Sequence, residues 1–120
     1  MREGKRKTVE RVMEEAEDEK REREDAGDMS ESYQLSVFAG PLEEGEGPDD
    51  LVARLFGKFR RVKFYRSAPV GVLLEAGFTL VASPPDPYHY DALLGPRLTA
   101  EVIERFDDCF SEARRNPAWR

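Results

Sequence analysis

The chain's one histidine, His89, lies in the run Pro84-Pro85-Asp86-Pro87-Tyr88-His89-Tyr90-Asp91. In extended backbone, residues 89 and 91 share one face and 88 and 90 the other. A carboxylate beside an imidazole raises its basicity and orients it for proton transfer. Nothing in the sequence completes that chemistry: there is no Gly-x-Ser-x-Gly elbow, no glycine-rich phosphate loop and no metal-ligand spacing. An enzyme using His89 with Asp86 or Asp91 as acid/base groups therefore ranks behind a hydrogen-bonding or partner-contact role for Tyr88, His89 and Tyr90.

Cys109, the single cysteine, excludes an internal disulfide framework, and with one histidine it excludes multi-His and Cys/His metal sites. A carboxylate-only Mg²⁺ or Ca²⁺ site is not excluded by this arithmetic, but no cofactor is expected. Cys109 falls on an apolar helical stripe, which marks it as a small buried hydrophobe rather than a nucleophile.

Lys58, Arg60, Arg61, Lys63 and Arg66 lie within nine residues without an acid, interleaved with Phe59, Phe64 and Tyr65. Cations for phosphate and rings for stacking are the ingredients of a single-stranded nucleic-acid platform. The net charge of −6 and pI near 4.9 oppose long-range attraction to phosphate. The acidic loop 43–50 offers a way to neutralise the strip internally. A third feature is the C-terminal Arg114-Arg115-Asn116-Pro117-Ala118-Trp119-Arg120. Trp and Arg are enriched at binding hot spots, so Trp119 is either a core residue or an anchor for a partner.

These residues are positioned by two unlike regions. Residues 1–31 hold 8 Lys/Arg and 12 Asp/Glu and no aromatic residue, whereas all twelve aromatic residues lie from Tyr33 onward. Such a leader cannot bury enough apolar surface to offset its ordering entropy, so residues 1–32 read as a charged, partly helical or disordered tail outside the core. Within it Thr8 can cap a helix, Val9, Met13 and Ala16 line one face, and Glu17/Arg21 and Glu19/Arg23 have the acid-before-base order that supports a solvated helix. Val9 and Met13 are thereby candidate anchors for a partner's groove. Met29 is an alternative translation start, which would make residues 1–28 an overlong reading of the gene.

Residues 33–120 read as one small domain. Tyr33, Leu35, Val37 and Ala39 alternate as in a half-buried strand, and Gly40-Pro41 ends it. Leu42–Asp50 reads as an exposed loop. Pro48 with Asp49 and Asp50 opens a helix whose apolar face is Val52, Leu55, Phe56 and Phe59. A second strand over 61–66 carries Val62 and Phe64 inward. Ser67 as N-cap and Gly77 as left-handed cap bound a short helix over 70–76. Strands follow over 78–82 and 88–94, and Thr99 caps a helix over 100–114.

The expectation is an α+β fold: a small mixed sheet of three to four strands in the order β-α-β-α-β-β-α, with helices packed on one face. No apolar run approaches membrane-spanning length and the first thirty residues lack a signal's apolar segment, so a cytoplasmic protein without a membrane partner is expected. Arginine outnumbers lysine 14 to 5, a composition compatible with a GC-rich bacterial genome. The function that fits most features is a non-enzymatic protein-binding module, such as a small acidic inhibitor, an immunity-type factor or an assembly subunit. The alternatives are a nucleic-acid-associated protein using the strip 58–66 and a small enzyme using His89.

Overall fold

The apolar alternation after Tyr33 and the glycine and proline stops between segments resolve into nine elements. A computed structural model describes residues 3–29, 31–56 and 62–116. In chain order they are α1 (Glu3–Asp25), β1 (Tyr33–Phe38), α2 (Pro48–Phe56), β2 (Phe64–Tyr65), α3 (Val70–Glu75), β3 (Thr79–Ala82), β4 (His89–Gly95), α4 (Ala100–Asp107) and β5 (Arg114–Arg115). The α+β class is as expected. The main sheet has three strands in the order β1-β4-β3, and its pairings are antiparallel rather than mixed; β2 and β5 form a separate antiparallel pair.

Register decides which residues see the core. Leu35 and Leu80 both pair with Ala92, and Val37 and Ala82 both pair with Tyr90, so these residues share one sheet face. Leu35, Ala92 and Leu94 on that face join Leu73, Phe78, Ile103 and Phe106 in the buried cluster. The opposite face carries Ser36, Asp91 and Val81 in one row and Phe38 beside His89 in the next.

The leader departs most from expectation. It is helical from Glu3, with Thr8 inside the helix rather than at its cap, and Val9 and Ala16 are members of the core cluster, with Val12 and Met13 packed against it. A stripe of two turns suffices because the sheet and α4 supply the groove, and polar contacts fix the docking. Glu19, expected to pair with Arg23 in solvent, instead accepts hydrogen bonds through Oε1 from Ser36 Oγ at 2.8 Å and from the Ser36 N–H at 3.3 Å. That N–H belongs to the outer edge of β1, so α1 closes an edge that would otherwise present unpaired backbone groups. Lys20 lies 5.5 Å from the Tyr33 ring centroid. Ion pairs along α1 include Asp18–Arg21 and Lys20–Glu24.

Other differences coincide with contacts distant in sequence. In β2, Tyr65 is buried whereas Val62 and Phe64 are exposed, the reverse of the predicted facing. The Tyr65 hydroxyl donates to the surface carboxylate of Asp49, and its strand partner is Arg114. The last helix stops at Asp107 rather than reaching 114. Arg66 donates from Nε to the Ser111 carbonyl at 2.7 Å, and the Ser111 N–H donates to the Ser67 carbonyl at 2.7 Å, so the chain is pulled out of helix and returns as β5. Ser67 is used there and does not cap α3, whose N-cap is Pro69 without a side-chain bond. Gly77, at φ 94°, closes α3 as expected, and the Phe78 N–H reaches back to the Leu73 carbonyl at 3.0 Å.

Candidate functional site

The predicted acid/base pair exists as neighbours but not as a hydrogen-bonded couple. His89 Nε2 is 3.9 Å from Asp91 Oδ1, and its ring stacks on Phe38, with centroids 5.3 Å apart and planes 28° from parallel. Asp86 is committed to its own turn: its Oδ1 accepts the Tyr88 N–H at 2.9 Å. His89 and Asp91 share one face and Tyr90 the other, as the period of two requires.

Tyr88, directly before β4, belongs to a more developed arrangement. It lines an open cleft of about 530 Å³ with Arg54, Leu55, Pro85, Asp86 and Pro87. The Arg54 guanidinium stands 5.8 Å from the Tyr88 ring centroid. It is fixed from behind by a fork on Glu46, with Nη2 to Oε1 at 2.9 Å and Nε to Oε2 at 3.2 Å, and by Nη2 donating to the Pro41 carbonyl at 2.7 Å. Hydrogen bonding to Glu46 raises the Arg54 pKa, and the same contact holds the Glu46 carboxyl below its usual range. The other side of the Tyr88 ring lies against Gly40, where an added Cβ would meet Cδ1 at 3.2 Å. The ring thus packs closely against the Gly40 backbone and near a cation fixed by its own partners, and the preceding Pro84–Pro85 peptide is cis.

Arg54 escaped the reading of the sequence because its partner is eight residues away, outside any helical pairing interval. The available signal was compositional: Arg54 is the first base after five acids in 43–50. That acidic loop supplies the partners of Arg54, Glu46 in a fork and Glu43 at 3.9 Å.

The strip itself is partly spent. Arg66 is bonded to the buried Asp107 and to the Ser111 carbonyl, and Tyr65 is buried with its hydroxyl on Asp49. Burial and that carboxylate raise the Tyr65 pKa. Lys63 lies 5.5 Å from the Phe64 ring centroid at the surface. Lys58, Arg60, Arg61 and Phe59 lie outside the described residues, as does Trp119.

The remaining candidates are quickly placed. Val9 is in the core and Met13 packs against it, so the groove they enter is the chain's own rather than a partner's. Cys109 packs against the same cluster, with Sγ donating to the Arg105 carbonyl at 3.4 Å, and burial pushes its thiol up. This is the environment of an inert thiol.

The strongest electrostatic constellation was not foreseen. Asp107, 5% exposed at the end of α4, receives Lys5 from α1 on one oxygen and Arg66 on the other. Lys5 also reaches Asp108 at 2.5 Å. Burial pushes the Asp107 carboxyl up, but the hydrogen bonds from Lys5 and Arg66 outweigh it and hold the group below its ordinary value. With both oxygens occupied and little exposure, this triad ties three segments together rather than offering a site.

Among the described residues no group of three or more His, Cys, Asp or Glu side chains is arranged to hold a metal ion, and no helix is long and apolar enough to cross a membrane. No protein-family model, no curated protein and no solved structure matches this chain.

Proposed function

We propose that the chain is a non-enzymatic protein-binding module and that Tyr88 and Arg54 form the centre of its contact surface. The observation that carries this reading is the rigid, half-buried Arg54–Tyr88 pair in an open cleft walled by Pro85 and Pro87. Tyr and Arg bury large areas on a partner with little ordering cost when they are already held, and they dominate binding hot spots. Prolines on the wall add contact area without adding rotamer entropy. The paired state of Arg66 and the burial of Tyr65 weigh against the nucleic-acid alternative, and the occupied Asp86 weighs against His89 as a general base. His89 and Tyr90 follow Tyr88 on opposite faces of β4, so at most one of them borders this surface.

The test is affinity capture with tagged full-length protein at low and moderate salt, with and without nuclease, using the wild type and Tyr88→Ala. The expected result is a stoichiometric protein that survives nuclease and is lost with Tyr88→Ala, by roughly 30-fold or more in Kd if Tyr88 is a hot spot. Recovery of nuclease-sensitive material alone, with steep salt dependence, would replace this reading with the nucleic-acid one. A protein partner held equally by folded Tyr88→Ala would move the contact surface elsewhere.

A further inference from the structure

Two runs of this chain carry several basic side chains and no acid: 58–66, with five, and 113–120, with three. Together they hold eight of the 19 bases, which leaves 11 bases against 25 acids, a net −14, in the rest of the chain. The runs lie far apart in sequence, and the fold joins them. Strand β2 from the first pairs with β5 from the second, Phe64 opposite Arg115 and Tyr65 opposite Arg114. Asn116, 1% exposed, locks this ribbon: its N–H donates to the Lys63 carbonyl and its Nδ2 to the Val62 carbonyl, both at 2.8 Å.

The N–H bond makes Lys63 and Asn116 a hydrogen-bonded pair. Phe64 and Arg115 are then the next, non-hydrogen-bonded pair, in which side chains approach most closely. Tyr65 and Arg114 share the inward face, where Tyr65 is buried and Arg114 hydrogen-bonds its hydroxyl. The outward face presents Val62, Phe64 and Arg115, with Val62 39% and Phe64 56% exposed and Arg115 exposed beside them. Lys63 adds a second cation, its Nζ 5.5 Å from the Phe64 ring centroid. Arg66 is held by Asp107 and adds little to this face. Acids beside the ribbon include Asp49, which accepts the Tyr65 hydroxyl, and Glu112, two positions before β5.

We infer that the outward face of the β2–β5 ribbon is a docking surface for an acidic peptide segment of a partner protein, its carboxylates against Arg115 and Lys63 and one apolar side chain against Phe64 and Val62. Charge complementarity identifies the occupant: two cations flank an exposed ring where two acid-free runs meet, in a chain whose remainder is strongly negative. Exposed charges more than about 8 Å apart are largely screened at physiological salt, so an approaching segment responds to the ribbon more than to the net charge of −6. A backbone already locked by Asn116 lowers the ordering cost of binding. Length favours a peptide over nucleic acid. The paired rows from Lys63 to Tyr65 span roughly 10 Å, whereas single-strand sites cover at least about 4 nucleotides. A strand of that length would continue onto a chain carrying a net −14. The acidic loop of a second copy is a poor occupant, because its carboxylates are engaged. Glu46 forks Arg54, Asp49 takes the Tyr65 hydroxyl, and Asp50 takes the Gly47 N–H at 2.9 Å. The ribbon shares no residue with the Tyr88 cleft and is a second surface, independent of it.

The test titrates full-length protein into a fluorescein-labelled peptide of glutamates around one central leucine, read by anisotropy. The lysine counterpart of the peptide and oligothymidylate serve as controls. The glutamate peptide should bind, and more weakly as salt rises. Arg115→Glu should weaken it by roughly tenfold or more, because like charges then meet, and Phe64→Ala by about fivefold. Both side chains are exposed, so the variants should keep the wild-type circular dichroism spectrum. Lys63→Glu repeats the charge test on the other strand, and Tyr88→Ala should bind the peptide as the wild type does. No binding by the wild type up to about 1 mM peptide would overturn the inference. So would equal binding of the lysine peptide, or an affinity unchanged in folded Arg115→Glu and Lys63→Glu. Tighter, Arg115-dependent binding of oligothymidylate would overturn it in favour of nucleic acid. Arg115-dependent self-association in sedimentation equilibrium would overturn it in favour of a second copy.

Discussion

Asp107→Asn should be the most informative single substitution for stability, because it keeps the side-chain volume and removes the charge that Lys5 and Arg66 share. Hydrogen bonds to charged groups contribute about 1.5–3 kcal/mol each, which sets an upper bound near ~6 kcal/mol for two. Lys5 and Arg66 side chains are 23% and 34% exposed and can retreat into water, so much of that bound is recovered. A loss of about 2–3 kcal/mol follows, short of the ~3–5 typical of fully buried pairs. With a urea m-value of about 1.5 kcal/mol/M, the unfolding midpoint should fall by roughly 1.3–2 M. The pH dependence supplies the sign. Because the Asp107 carboxyl is held below its ordinary value in the folded protein, it contributes stability above the unfolded pKa and loses it as pH falls through the depressed one. The difference between wild type and variant should therefore be constant from about pH 5 to pH 8 and shrink below about pH 4. Lys5→Met, which leaves Arg66 in place, should cost an intermediate amount. A midpoint change under about 0.3 M, or a difference that persists undiminished at pH 3, would refute the triad as a clamp on α1.

The remaining predictions concern the leader and two isolated groups. A chain beginning at Met29 loses the burial of Val9 and Ala16, the cover from Val12 and Met13 and the Lys5 contact; at ~25 cal/mol per Å² this is on the order of 5 kcal/mol, comparable to the whole stability of a small domain. Its amide NMR spectrum should show collapsed dispersion, and a well-dispersed spectrum with an unchanged Tm would show that 33–120 folds alone. Glu19 has its Oε2 buried without a hydrogen-bond partner, and burial raises its pKa despite the bonds from Ser36. A raised folded pKa means stability falls as pH rises through it, so Glu19→Gln should stabilise at pH 7 by ~0.5–1 kcal/mol and lose that advantage below about pH 4 in urea titrations. Cys109→Ser should cost ~1 kcal/mol in thermal unfolding, and the native thiol should react with iodoacetamide more slowly than free cysteine. Rapid labelling of folded protein would remove the packing assignment.

How much of this was legible in the sequence depended on whether the deciding interaction was local. Alternation located β1, β-forming residues bounded by glycine and proline breaks located β3 and β4, Thr99 capped α4 through the Val102 N–H at 3.2 Å, and Gly77 closed α3, because each of these is decided within a few residues. The C-terminal end of α4 was misread because its stop comes from Arg66 and Ser67, more than forty residues away. Facing in β2 was misread for a related reason: in a two-residue strand, alternation has no length over which to declare itself, and the Tyr65 hydroxyl bonds to Asp49, sixteen positions away.

The leader is the sharper lesson, because composition argued correctly about averages and missed the particular. A segment with 20 charged residues in 31 cannot make a core of its own. It can still complete another's, since docking requires only that the few apolar residues share one helical face and that the charges beside them find partners. Val9, Met13 and Ala16 meet the first condition, and Lys5 on Asp107 and Glu19 on Ser36 meet the second. The same reasoning applies to the candidate site. Arg54 and Tyr88 are 34 positions apart, and what joins them is an acidic loop whose charge pattern suggested only solvent exposure. An acid-rich loop followed by one arginine on an amphipathic helix is therefore better read as a clamp that fixes the arginine. The rigidity it confers on the Tyr88 platform is the physical basis for expecting a partner there.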